Sequence, residues 1–100
     1  MSSEETFGEY IKKAREDKNL PLRKVAAHLD IDTSTLSKVE RGDRPSSPDY
    51  LKPLSEILQL DLKEVQSKFI ADKINKDFGG MEHLTLGLKA AEKQIKSKKK

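Results

Sequence analysis

From Phe7 onward the chain places an apolar residue at every third or fourth position. Phe7, Ile11 and Ala14 come first, a spacing that lines side chains along one face of an α-helix. Thr6-Phe7-Gly8-Glu9 has the T-x-x-E spacing of a capping box, in which hydroxyl and carboxylate satisfy orphan amides at a helix start. Asn19 suits the left-handed residue that ends such a helix. Leu22, Val25, Ala26 and Leu29 form a second stripe, with Pro21 near its start, where a missing N–H does little harm. Leu36 and Val39 are the inward residues of a third helix, for which Asp32 offers a side-chain oxygen as N-cap and Gly42 a stop. Arg44-Pro45-Ser46-Ser47-Pro48 reads as a loop by composition. A fourth helix, roughly Tyr50 to Leu58, buries Leu51, Leu54, Ile57 and Leu58, and it starts late so that Pro53 falls in its first turn. Asp61 and Glu64 then open a long fifth helix, along which Leu62, Val65, Phe69, Ile70, Ile74 and Phe78 run until Gly79-Gly80 breaks it.

Beyond the two glycines, Met81, Leu84, Leu88, Ala91 and Ile95 alternate spacings of three and four, a short heptad seam. Gly87 weakens that helix by about 1 kcal/mol relative to Ala. Leu84 to Leu88 also alternates in the manner of a strand, which leaves a strand as the minority reading. Such a stripe must be buried against the fifth helix or against another copy of the chain, and the second option makes it a homodimer interface. The basic end, residues 98–100, reads as a disordered tail.

Composition narrows the class. Charged residues are 37% and hydrophobic residues 34% of 100 residues, enough for one small core beneath a heavily ionic surface. No Cys is present, so neither a disulfide framework nor a Cys-based zinc site exists. His28 and His83 lie far apart with no second ligand at metal spacing, so no metal or other cofactor is expected. No apolar run approaches the roughly 20 residues of a membrane span, and MSSEET lacks a signal peptide's regions, so a cytoplasmic protein without membrane contact is expected. The net charge of +3 is uneven. Residues 79–100 hold six Lys against two Glu, whereas residues 1–78 hold fourteen Lys and Arg against fifteen Asp and Glu. Nucleic-acid binding therefore cannot rest on overall basicity and needs its cations sorted onto one face.

That sorting occurs between Leu22 and Gly42. Two short helices are joined by a tight turn at Leu29-Asp30-Ile31, and Ala26 is small where a crossing helix needs room. The second begins Asp32-Thr33-Ser34-Thr35 and continues with Ser37, Lys38 and Arg41 on its outward faces. Hydroxyls and cations, without a large outward apolar residue, suit a groove lined by phosphates and base edges. With Phe7-Gly8-Glu9-Tyr10-Ile11, Arg15, Val25-Ala26, Leu29, the run TSTLSKVERG, Pro48, Leu54 and Leu58, the chain resembles the Cro and phage-repressor type of helix-turn-helix, the XRE family, from about Thr6 to Val65. The resemblance implies an all-α fold: a five-helix lambda-repressor-like DNA-binding domain, here with an additional C-terminal helical segment. Its second and third helices form the helix-turn-helix, and the third reads DNA. Two positions depart from the pattern. Pro21 and Leu22 stand where relatives carry a capping Ser or Thr and a phosphate-contacting Gln, and Asp30 stands where relatives carry Gly.

The resemblance assigns Thr33 and Ser34 to base edges, although polar residues favour any helix start. Lys38 lies one turn onward on the same face, with Ser37 adjoining; as bland alternatives both are solvated surface residues. Arg41, Arg44 and Ser46 fall where relatives meet the sugar-phosphate backbone, with Asp43 diluting the charge, and Arg23 near the second helix's start is a further backbone candidate. Arg15 and Glu40 correspond to a structural ion pair between the first and third helices. His28 reads as a surface residue, and Glu4 and Glu5 complement the first helix's positive end. The acidic pairs Glu4/Glu5 and Glu16/Asp17 have nothing nearby to desolvate them, and no nucleophile or phosphate loop is visible, so an enzyme is not expected.

These readings divide the chain into a helix-turn-helix DNA-binding domain (1–65), a C-terminal helical extension for dimerisation (66–97) and the basic tail (98–100). The expected activity is sequence-specific recognition of double-stranded DNA, at an inverted-repeat operator, by a homodimeric transcriptional regulator acting as a repressor. The alternatives are an antitoxin that binds a toxin partner and represses its own operon, and a restriction-modification controller.

Overall fold

The computed structural model describes residues 5–98, and among them the regular structure is entirely helical. Helices α1 (Phe7–Asp17), α2 (Leu22–Leu29), α3 (Thr33–Arg41), α4 (Leu51–Leu58), α5 (Leu62–Phe78) and α6 (Leu84–Lys98) follow in chain order. A single 3-10 turn, Pro48–Tyr50, leads into α4 and lets Pro53 fall in that helix's first turn, where its missing N–H leaves nothing unpaired.

Local chemistry sets the boundaries. The Glu9 amide donates to Thr6 Oγ1 at 3.1 Å and the Thr6 amide to Glu9 Oε1 at 3.0 Å, closing the capping box of α1. The Lys63 amide donates to Asp61 Oδ1 at 3.0 Å at the start of α5. Asp32 corrects an expectation: it occupies the N-cap of α3 with extended backbone, but its carboxylate makes no capping bond. Left-handed residues terminate the first four helices, at Asn19, Asp30, Gly42 and Gln59. Gly42, Asn19 and Asp30 are of the residue types that visit this conformation, whereas Gln59 adopts it at a cost of about 1–2 kcal/mol.

Phe7 and Ile11 of α1, Val25, Ala26 and Leu29 of α2, Leu36 and Val39 of α3, Leu51, Leu54 and Leu58 of α4, and Val65 of α5 converge into one core. Apart from Ala26, each such side chain contributes about 1.5–3 kcal/mol on burial. The Phe69 ring meets Phe7 edge-on, with centroids 5.6 Å apart and planes at 79°, which carries the core past residue 65. Gly8 is buried where α1 crosses α3, and a Cβ there would collide with the carbonyl oxygens of Val39 and Glu40.

The core ends before the chain does. A helix of 17 residues is about 25 Å long, and Phe69 is the last residue of α5 packed against the core. Ile70 and Phe78 are 53% and 47% exposed, and no residue of α6 is buried. The stripe along α5 therefore belongs to the core only in its first half. The segment after Gly80 is a helix, not a strand: Lys, Ala, Glu and Gln from Lys89 onward are good helix formers, and no partner strand is at hand. Lys98 closes α6, so the basic-tail expectation does not hold at that residue. Lys99 and Lys100, like Glu4, lie outside the described residues. Among the described residues no helix is long and apolar enough to cross a membrane.

Candidate nucleic-acid interface

The tight connection between α2 and α3 comes from one residue in an unusual conformation. Asp30 sits at φ 61°, ψ 44°. Its own amide and that of Ile31 turn back to the carbonyls of Ala27 and Ala26, each at 3.0 Å. That closes α2 with a Schellman-type turn and redirects the chain within two residues. Ala26, fully buried, allows α3 to pack closely across α2.

Helix α3 then divides cleanly. Leu36, Val39 and Glu40 face the interior. Thr33, Ser34, Lys38 and Arg41 are exposed and Ser37 half-exposed, so they share the opposite side. An acid facing the interior needs a partner, and Arg15 of α1 supplies it. Arg15 Nε donates to Glu40 Oε2 at 2.7 Å and Nη2 to Oε1 at 2.9 Å, a bidentate fork, while Nη1 donates to the Leu20 carbonyl at 3.0 Å. The two side chains are only 12% and 5% exposed. The hydrogen bonds to Glu40 raise the Arg15 pKa above its ordinary value against the opposing pull of burial. The pair locks α3 to α1 and removes the acid from the outward face.

That outward face carries positive charge and hydroxyls. Lys38, exposed, has no ion-pair partner among the described residues, nor do Arg44 and Arg23. Arg41 is engaged locally: Nη1 donates to Ser37 Oγ at 2.8 Å and Nε to Asp43 Oδ2 at 3.0 Å. A guanidinium has five donors, so Arg41 keeps donors for a phosphate, but Asp43 and Ser37 share it. Ser46 is half-buried, and its hydroxyl donates to the Ser47 carbonyl at 3.2 Å. Arg23 stands exposed in the first turn of α2, behind a Pro21 N-cap that makes no side-chain capping bond. The structure thus brings Thr33, Ser34, Ser37, Lys38 and Arg41 onto one helix, with Arg44 and Ser46 on the loop that follows.

His28 lies on the surface, its Nε2 3.4 Å from Glu56 Oε1. The described residues contain no cluster of three His, Asp or Glu that could hold a metal ion. Gly8 was the position whose purpose spacing did not reveal. Its signal was present, because a glycine inside the first turn of a helix is unfavourable by about 1 kcal/mol and needs a reason. The reason is the backbone of α3 pressed against it.

A family model described as helix-turn-helix matches residues 11–65. Among solved structures, the chain is similar to the clp gene regulator ClgR from Corynebacterium glutamicum, with a TM-score of 0.58 and 21% identity over 94% of this chain and 86% of that one. That likeness concerns the fold. No curated protein matches the chain.

Proposed function

The chain belongs to the XRE-type helix-turn-helix family, and from that membership we propose that it is a sequence-specific double-stranded DNA-binding transcriptional regulator that represses by occupying its operator. The observation that carries this reading is the outward face of α3. It presents hydroxyls and a lysine without an ion-pair partner among the described residues, and no large apolar residue, while its one acid is turned inward and neutralised by Arg15. In this reading Thr33 and Ser34, in the first turn, meet base edges in the major groove, with Ser37 and Lys38 one turn onward. Arg41, Arg44, Ser46 and Arg23 meet phosphates, which set register and affinity without reading sequence.

A helix of nine residues, about 13 Å long, spans few base pairs, so recognition of a single site calls for two copies. The α5–α6 hairpin supports that pairing. Ile74, Phe78, Leu84, Leu88 and Ala91 line an apolar groove of about 630 Å³. Leu86 and Ile95 expose apolar surface on the same hairpin outside that groove. Groove and ridge on one element are what a two-fold, self-complementary interface requires. The proposed species is a cytoplasmic homodimer on an inverted repeat, without enzymatic activity.

Selection of bound duplexes from a random DNA library tests the reading directly. The expected outcome is an inverted repeat with half-site centres about 34 Å, one helical turn, apart. Enrichment of no duplex would overturn DNA recognition, and enrichment of isolated half-sites by a chain that sediments as a monomer at micromolar concentration would overturn the dimer.

A further inference from the structure

We propose that the DNA-contacting surface does not end with the helix-turn-helix and its following loop: Lys73 of α5 extends it, holding backbone phosphate beside Arg44. The inference rests on the DNA-binding reading above and adds to it a second element of the fold.

Its starting point is a small cleft, about 60 Å³, where four segments meet. Arg44, Pro45 and Ser46 of the loop, Phe7 and Gly8 of α1, Val39 of α3, and Lys73 and Lys76 of α5 all line it. Phe69, Lys73 and Lys76 follow spacings of four and three and so share one face of α5. The first of them is pinned to the core by its edge-on contact with Phe7. The two lysines therefore stand on a rigid helix whose position beside the loop is fixed by packing. From Phe69 to Lys76 the helix advances roughly 10 Å, which lengthens the cationic margin begun by Arg44.

The acids in the cleft decide which cation is available. Asp72 is bound by Lys76 at 3.3 Å, and its side chain is only 16% exposed. These two charges largely cancel. Asp77 lines the cleft as well and opposes a phosphate there. Lys73 is exposed and has no ion-pair partner among the described residues. Among the described residues, Lys73 and Arg44 are thus the cations of the cleft without an ion-pair partner, with Asp77 as the counterweight. A phosphate in the cleft would meet a guanidinium and an ammonium together. Each phosphate contact adds close to one unit to the slope of log affinity against log salt concentration.

The test measures affinity of the full chain for a selected duplex across a salt series. Wild type is compared with Arg44→Ala, Lys73→Ala, Asp77→Asn and Lys63→Ala, the last removing a lysine from the exposed first turn of the same helix, outside the cleft. Lys73→Ala is expected to weaken binding about fivefold near physiological salt and to flatten the slope by about one unit, as Arg44→Ala does. Asp77→Asn is expected to tighten binding, and Lys63→Ala to leave the slope unchanged. All these side chains are exposed, so thermal melts of the variants should match wild type and exclude misfolding as the cause. If Lys73→Ala is indistinguishable from Lys63→Ala while Arg44→Ala flattens the slope, the extension onto α5 is wrong and the helix-turn-helix reading stands. If wild type binds no duplex at any salt concentration, both fall.

Discussion

Replacing Arg15 by Met should unfold the protein at markedly lower temperature, although Arg15 lies on α1 and faces away from the proposed DNA surface. The substitution keeps most of the side chain's length and removes the charge. Glu40 is then left 6% exposed with no cation, its carboxylate having lost two bonds of 2.7 and 2.9 Å. Surface ion pairs contribute about 0–1 kcal/mol, but at 12% and 5% side-chain exposure this pair belongs to the buried class. There, removing one partner costs about 3–5 kcal/mol because an uncompensated charge stays behind. The Leu20 carbonyl also loses its donor, adding about 1 kcal/mol. Against a total stability of about 5–15 kcal/mol for a domain, that is a large fraction. In a domain of 60–100 residues each kcal/mol shifts the midpoint by about 4–8 °C, so Tm should fall by roughly 12 °C or more, read by circular dichroism and checked by urea unfolding. The double variant Arg15→Met with Glu40→Leu should recover most of the loss, because no buried charge then remains. If Arg15→Met melts within about 4 °C of wild type, less than 1 kcal/mol by the same conversion, the pair is not the lock between α1 and α3 described above.

Thr33→Ala and Ser34→Ala should change the selected DNA consensus at one or two positions per half-site with little change in salt slope; an unaltered consensus would mean that neither residue reads a base. Gly8→Ala should destabilise by about 2 kcal/mol or more despite the better helix propensity of Ala, since the added Cβ meets the backbone of α3 rather than a flexible side chain; a urea midpoint at or above wild type would refute the close crossing. The Tyr10 hydroxyl is buried without a hydrogen-bond partner among the described residues, and burial, reinforced by the nearby Glu64 carboxylate, pushes its pKa up to about 12. The folded state thus holds this proton more tightly than the unfolded chain, whose tyrosines titrate near 10. The resulting stability is complete below pH 10 and declines as pH rises towards 12. Ultraviolet difference titration should show Tyr10 ionising well above 10, and Tyr10→Phe should reduce the alkaline loss.

The fold was readable wherever one residue type answers one local need. Thr6 with Glu9, Gly42, the late start forced by Pro53, and Asp61 before α5 each satisfy backbone groups within a few residues, and helix boundaries follow from such satisfaction. Asp32 shows the limit of that method. Its backbone takes the N-cap geometry while its side chain makes no cap bond, because composition specifies a preference and not a rotamer. Gly8 shows another limit. What it touches, Val39 and Glu40, lies far along the chain on α3, and only the helix crossing reveals why no side chain fits.

The candidate interface was legible as a set of residues but not as a set of states. Periodicity separates Leu36 and Val39 from Thr33, Ser34, Ser37, Lys38 and Arg41, since inward and outward positions follow from helical geometry. It cannot show that Arg41 already spends donors on Ser37 and Asp43 while Lys38 and Arg44 have no ion-pair partner among the described residues. A phosphate approaching Arg41 must compete with an acid held at 3.0 Å, whereas at Lys38 it meets no such competitor among those residues. The same distinction separates Lys76, tied to Asp72, from Lys73. Formal charge along the chain counts all of these cations alike. Two arginines only three positions apart, Arg41 and Arg44, therefore differ in what they can offer a phosphate, and the difference lies in Asp43, the residue that composition alone would treat only as dilution of the positive charge.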